Sequence, residues 1–299
     1  MKKVVSISLG SSKRNHAVEM EINGCNCHIE RIGTDGDMKR MVALIKEMDG
    51  KVDAFGLGGI DIYIQAGTRR YTLRDAKKIA GVAKKTPLVD GLGLKNTLER
   101  KVIKYLQSET DLLHGSPLVL MMAGTDRYGM AEALHNAGCR LMIGDFVFAI
   151  GLPIVMHSLK TLNRVARLLA PLAAQLPFSM LYPTGEKQVE NKPKAEHLFR
   201  KADIIAGDFH FIYRYMPPDM KGKIVITNTT TADDVQALRE RGIKTLVTTT
   251  PELNGRTFGT NVMEALLVAL SGKKRELKDA EYEELLIKAN IEPRIMHFQ

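Results

Sequence analysis

Short apolar runs and helically spaced apolar positions alternate along the chain. The runs read as buried strands and the spaced positions as amphipathic helices. The first half predicts strands at residues 4–9, 17–22 and 28–32. The last two are joined at Asn23-Gly24, a strong signal for a two-residue hairpin. Met38, Met41, Val42, Ile45 and Met48 fall on one helical face that Gly50 closes. A buried strand at 52–57 ends in Gly56-Leu57-Gly58-Gly59, and a hairpin around Gly67 follows. A short helix at 74–84, a strand at 86–89 and a helix at 94–107 complete this half.

The second half repeats the alternation more cleanly. Strands are predicted at 118–122, 140–143, 204–206, 224–226 and 245–247, with helices at 128–136, 159–175, 233–241, 260–270 and 279–289. Strands that alternate with helices imply a mostly parallel sheet. The expected class is α/β in two domains: an N-terminal α/β substrate domain over 1–115 and a C-terminal Rossmann-type doubly wound parallel sheet over 116–258. Helices in 259–299 are expected to pack back on the first domain.

Hydrophobic residues make up 44% of the 299 positions and charged residues 26%, ordinary for a globular chain. The longest apolar run, 146–156, holds Gly151 and Pro153 and falls short of the roughly 20 residues that span a bilayer. The chain starts in a strand rather than a signal peptide, so a cytoplasmic location with no membrane partner is expected. Three cysteines make no disulfide framework, and Cys25-x-Cys27-His28 lacks a second pair of ligands, so no metal is expected. The net charge of +9 is spread in pairs such as Lys39-Arg40 and Arg69-Arg70, a field that attracts anionic molecules. No nucleic-acid-binding motif accompanies it. The expected partner is a small anionic or polyhydroxylated metabolite, and a homodimer is compatible with the chain.

The strand at 118–122 runs into Ala123-Gly124-Thr125-Asp126-Arg127-Tyr128-Gly129. Gly124 and Gly129 fill the first and third glycine positions of a dinucleotide-binding turn, where amides at a helix start face a pyrophosphate. Asp145, 21 positions after Gly124, lies where an acid accepts from a ribose diol, favouring NAD over NADP. Asp126 replaces the second glycine. At about 5 Å from a phosphate and an effective dielectric near 20, it adds ~3 kcal/mol of repulsion. Arg127 could offset this, or Asp126 could turn to solvent or cap the helix. The expected cofactor-binding set is Gly124, Thr125, Asp126, Arg127, Gly129, Asp145 and Thr227.

From Lys201 onward the chain resembles the shikimate/quinate dehydrogenase family. The resemblance rests on Ala202-Asp203-Ile204-Ile205, on Pro217-Pro218-Asp219-Met220-Lys221-Gly222-Lys223-Ile224-Val225, on the 237–245 segment, and on Asn261-Val262-Met263-Glu264-Ala265. It implies an NAD-dependent oxidoreductase acting on a small polyhydroxylated carboxylate. Ser6 and Ser8 would hold the substrate carboxylate, Asn261 would contact substrate, and Lys95 would be the catalytic lysine. The family's Asn-Thr-Asp-Gly element is absent before the crossover, and Ala206-Gly207-Asp208-Phe209 replaces its Asn-Ala-Thr-Pro loop.

Read from the residues, alcohol oxidation needs a base, and Lys95 with Asp90 as acidic partner sits at a strand end where a ligand crevice forms. Lys95 would then need a depressed pKa. Asp61, after the Gly56–Gly59 turn, is a candidate for binding substrate hydroxyls. The alternative function is a non-catalytic ligand-sensing protein that retains a Rossmann-type domain and binds a nucleotide or an anionic metabolite.

Overall fold

The computed structural model describes residues 1–22, 24–66, 69–177, 190–253 and 256–298. Asn23 of the expected hairpin and Gly67 of the second one lie outside the described residues. The first domain contains β1 (Lys2–Ser8), β2 (His16–Ile22), β3 (Cys25–Gly33), α1 (Met38–Met48), β4 (Ala54–Gly58), β5 (Tyr63–Ala66), β6 (Arg69–Thr72), α2 (Arg74–Ala80), β7 (Leu88–Val89), α3 (Leu92–Asn96) and α4 (Leu98–Glu109). The second contains β8 (Leu118–Met121), α5 (Tyr128–Asn136), β9 (Arg140–Ile143), α6 (Leu159–Ala173), α7 (Glu196–Lys201), β10 (Ile204–Ala206), α8 (Phe209–Tyr215), β11 (Ile224–Thr227), α9 (Ala232–Glu240) and β12 (Thr245–Thr248). A short hairpin, β13 (Glu252–Leu253) and β14 (Arg256–Thr257), precedes α10 (Thr260–Ser271), α11 (Asp279–Lys288) and β15 (Arg294–His297).

The first sheet has the order β2-β3-β1-β4-β7, parallel except for the β2–β3 pair. The second has the order β15-β12-β11-β10-β8-β9, parallel except for β15 at its edge. The five parallel strands of the second sheet, numbered by appearance, run 2-1-3-4-5, a doubly wound order whose switch point lies between β8 and β10. The two-domain α/β architecture read from the sequence is the architecture of the molecule.

Alternation along the strands explains the layers. On β1, Val5 and Ile7 pack with Met41, Ile45, Ala76 and Ile79 of α1 and α2, while Val4 faces the opposite core. On β8, Leu120 packs toward Phe199, Phe209 and Ile212, while Val119 and Met121 face the other way. One continuous core therefore runs from Val4 and Ala54 of the first sheet, through α4, α5, α10 and α11, to Val119 and Val247 of the second.

The helix expected at 94–107 is two helices. The Thr97 hydroxyl donates to the Gly93 carbonyl at 2.7 Å, beside the break between α3 and α4. Gly93 has no room for a side chain, since a Cβ would be driven into the Tyr282 ring and the Glu264 carboxyl. Among the described residues no helix is long and apolar enough to cross a membrane.

Candidate functional site

The carboxyl ends of the two sheets' strands are brought together by side chains that meet between the domains. Asp61 follows β4, Lys95 lies in α3 after β7, Asp126 and Arg127 follow β8, and Asp208 follows β10. Lys95 Nζ donates to Asp61 Oδ1 at 2.8 Å and to Asp126 Oδ1 at 2.6 Å, joining the domains. Arg127 donates through Nη1 to Glu99 of α4 and through Nη2 to Asp208 Oδ2 at 3.0 Å. Asn228 Nδ2 donates to the same Asp208 oxygen at 2.9 Å.

These pairs are layered. The side chains of Lys95 and Arg127 are 9% and 2% exposed, whereas those of Asp61, Asp126 and Asp208 are 20%, 31% and 21% exposed. The two cations are thus more deeply buried than the three aspartates they pair with. Burial pulls the Lys95 pKa down, but the charges of Asp126 and Asp61 outweigh it and hold the ammonium above its ordinary range. Burial would raise Asp208, yet the Arg127 charge holds it well below the usual carboxylate range. Glu99 is pushed up to about 7 by burial, against the pull of Arg127.

The glycine turn differs from the expected nucleotide cradle. Gly124 N donates to Asp145 Oδ2 at 2.7 Å and Thr125 N donates to Asp145 Oδ1 at 2.8 Å, so the chain's own carboxylate takes the amides expected to face a pyrophosphate. Burial raises the Asp145 pKa despite these bonds. Asp126 neither caps α5 nor turns away from the protein, because Lys95 holds it. Gly129 serves helix packing, since a Cβ there would strike the Lys95 carbonyl. Thr227 donates from Oγ1 to the Gly207 carbonyl at 2.9 Å and is buried.

The substrate candidates lie on the first domain. Asn261, in the first turn of α10, donates from Nδ2 to Ser6 Oγ at 2.7 Å. Ser8 Oγ accepts from Arg31 Nη2 and from Gly10 N, both at 3.1 Å. Gly58 admits this arrangement because a Cβ would lie 2.9 Å from Ser8 Oγ and 3.2 Å from Asn261 Nδ2. Asp90 is not the hydrogen-bonded partner of Lys95 that the sequence suggested. Its carboxylate accepts from Ile62 N at 2.6 Å and Leu92 N at 3.0 Å, fixing the turn into α3. Burial, then the Asp61 charge, pushes Asp90 up to about 6. The expectation of a lysine with a depressed pKa is likewise corrected, because two carboxylates enclose the ammonium.

Glu99 and Asp208 were not singled out in the sequence. Asp208 had a signal, as an acid directly after a strand and glycine. Glu99 had none, because an acid in a helix usually faces solvent.

Beneath the site, Glu264 is 1% exposed and accepts from the Tyr282 hydroxyl, with Oε2 unpartnered. Burial, then the nearby Asp90, pushes its pKa up to about 8. A carboxyl whose folded pKa exceeds its unfolded value of about 4.3 stabilises the fold below that value. The contribution is lost as pH rises through about 8. Glu264→Gln is expected to flatten the fall in Tm between pH 5 and pH 8 and to raise Tm at the alkaline end. Parallel Tm–pH curves for the two proteins would show that Glu264 does not carry the slope.

The fold and site define a two-domain α/β protein with a cluster of ion pairs where the strand ends of both sheets meet. Residues 93–298 match a family described as a domain of unknown function (DUF8754), and the chain belongs to that family. Residues 3–90 match a second domain of unknown function (DUF8753), so the two matches meet just ahead of Lys95. No curated protein matches the chain.

Among solved structures the chain is similar to a galactofuranose-binding protein at 14% identity, covering 97% of this chain and 99% of that one, with a TM-score of 0.34. An NAD-dependent malic enzyme from Thermotoga maritima matches at 11% identity over 96% and 82%, with a TM-score of 0.34. One component of dipicolinate synthase from Bacillus halodurans matches at 14% identity over 96% and 97%, with a TM-score of 0.29. Likeness at this level carries no argument about function.

Proposed function

We propose that the protein binds a small neutral polyhydroxylated molecule between its two domains, without a dinucleotide. The layering of the cleft carries this reading. A ligand entering from solvent meets carboxylate oxygens of Asp61, Asp126 and Asp208, which accept hydrogen bonds from hydroxyl groups and repel phosphates. The Arg127 charge beneath holds the Asp208 carboxylate well below the usual carboxylate range. Ser6 and Asn261 supply neutral hydrogen-bonding groups nearby. The occupied amides of Gly124 and Thr125 support the same reading, because a pyrophosphate would have to displace Asp145.

Thermal-shift and calorimetric titrations with neutral sugars and cyclitols, with quinate and shikimate, and with NAD and NADP test this. A saturable rise in Tm with a neutral polyol and none with either dinucleotide is expected. Saturable binding of NAD, with no response to any polyol, would overturn the proposal.

A second reading, the quinate/shikimate-like NAD-dependent dehydrogenase, is favoured by the glycine turn after β8 and by Asp145 at the end of β9. It requires Asp145 to leave the amides for the cofactor ribose. Its signature is NADH formation with quinate or shikimate that Asp145→Ala weakens through NAD affinity. Turnover unaffected by that substitution would remove Asp145 from the role.

A further inference from the structure

A pocket of about 150 Å³ lies where α10 meets the edge strand β2 and the turn after α11. Its floor is one stripe of α10, because Met263, Leu266 and Leu267 recur at the spacing of a single helical face. Asn261 and Glu264, which serve the site between the strand ends, lie on another side of the same helix. Met20 and Ile22 of β2 form a wall from the first domain, and Pro251, just after β12, lines the pocket from the second.

The space is built into the fold. Pairing with β3 sets Met20 opposite Cys27 and Ile22 opposite Cys25, which fixes the strand wall. The floor is fixed by α10, buried from Val262 through Ala269. Lys101 reaches across from α4, and its Nζ donates to the Leu286 carbonyl at 3.1 Å and to the Ile291 carbonyl at 3.0 Å. Those bonds pin the turn that carries Ala289 and Asn290. Asn290 adopts a left-handed φ of 46° there, is exposed, and marks the mouth.

Among the described residues that line the pocket, Asn290 alone has a polar side chain. A buried water needs roughly two to four polar partners, so an apolar space of this kind stays dry and accepts a molecule about the size of benzene. A polyol or a phosphate entering it would give up hydrogen bonds to water without replacement. The flexible thioethers of Met20 and Met263 adapt to an apolar guest and make favourable contacts with a ring edge.

We propose that this pocket is a second binding site, for a neutral apolar molecule or chain end of about six carbons. It uses none of the residues assigned to the polyol, so either reading can fail without the other. The test is methyl NMR on the full chain, labelled in its methionine methyl groups and titrated with benzene and with 1-hexanol. Saturable shifts of the Met20 and Met263 signals are expected, assigned through Met20→Leu and Met263→Leu. The signals of Met122 and Met220, which belong to a different core layer, should stay in place. A rise in Tm should accompany saturation.

Ala289→Leu narrows the mouth and is expected to abolish the Met263 shift. Met20→Phe fills the space from the strand wall and should do the same through a different element. A response confined to benzene identifies a compact free molecule as the ligand, and a response to 1-hexanol identifies a chain end that leaves past Asn290. No saturable shift with either compound would overturn the proposal. So would equal shifts at Met122 and Met220, or a Met263 shift that persists in both variants.

Discussion

Replacing Lys95 by methionine is expected to destabilise the fold by about 3 kcal/mol and to lower Tm by roughly 6 to 10 °C. Lys95 is the cation shared by Asp61 and Asp126, one from each domain. Its loss leaves two partly buried carboxylates near one another, with only Arg127 Nε, 3.6 Å from Asp126 Oδ2, to offset their charge. Partial exposure of both acids keeps the effect toward the lower end of what removing one member of a buried ion pair produces. Adding Asp126→Asn to Lys95→Met should recover much of the loss, since a single remaining acid is solvated more easily. Calorimetry on the single and double variants checks this. A Tm for Lys95→Met matching the wild type would mean that the acids do not need the cation, and the charge-layered description of the cleft would go with it.

Arg127→Met is expected to cost about 4 kcal/mol, read as a lower midpoint in urea unfolding. Arg127 and Glu99 are fully buried, and removing the guanidinium leaves the Glu99 carboxylate without its hydrogen-bonded cation. Two observations set the size. Asp208 is partly exposed and can be resolvated, which limits the loss on that side. Glu99 already titrates at about 7, so without Arg127 it would take up a proton and remain as a neutral acid. The double variant Arg127→Met/Glu99→Gln should therefore regain about half of the loss, since no charge remains to be neutralised. Equal unfolding midpoints for the single and double variants would show that the cost lies in packing around the Arg127 stem rather than in charge.

The elements that could be read from the chain have strong local causes. β8, β9 and β12 are short apolar runs bounded by turn residues, and their side chains separate into two buried layers as period-two alternation requires. Helices α1, α5 and α10 follow from apolar spacing and Gly or Asp at their ends. Legibility failed where a side chain, not a pattern, ends an element, as at Thr97, and at β15, whose pairing with β12 spans about 50 residues.

The candidate site divides along the same line. Strand-end position picked out Asp61, Asp90, Lys95, Asp126 and Asp145, because the carboxyl edge of a parallel sheet is where ligands meet side chains. Which of these touch was invisible, since a pairing such as Lys95 with Asp126 depends on how one sheet faces the other. The expected Asp90 partner is close in sequence, yet its carboxylate is consumed by two nearby amides.

Local pattern thus determined the α/β class, the order of strands and helices, and the residues standing at strand ends, because each depends on contacts within a turn or a strand's length. Tertiary structure alone decided that Asp145 fills the glycine turn and that Arg127 lies beneath Asp208. It also decided that Lys95 and Arg127 are buried more deeply than the aspartates they pair with. Those outcomes depend on charges converging from distant segments, where burial rather than sequence spacing selects the partner.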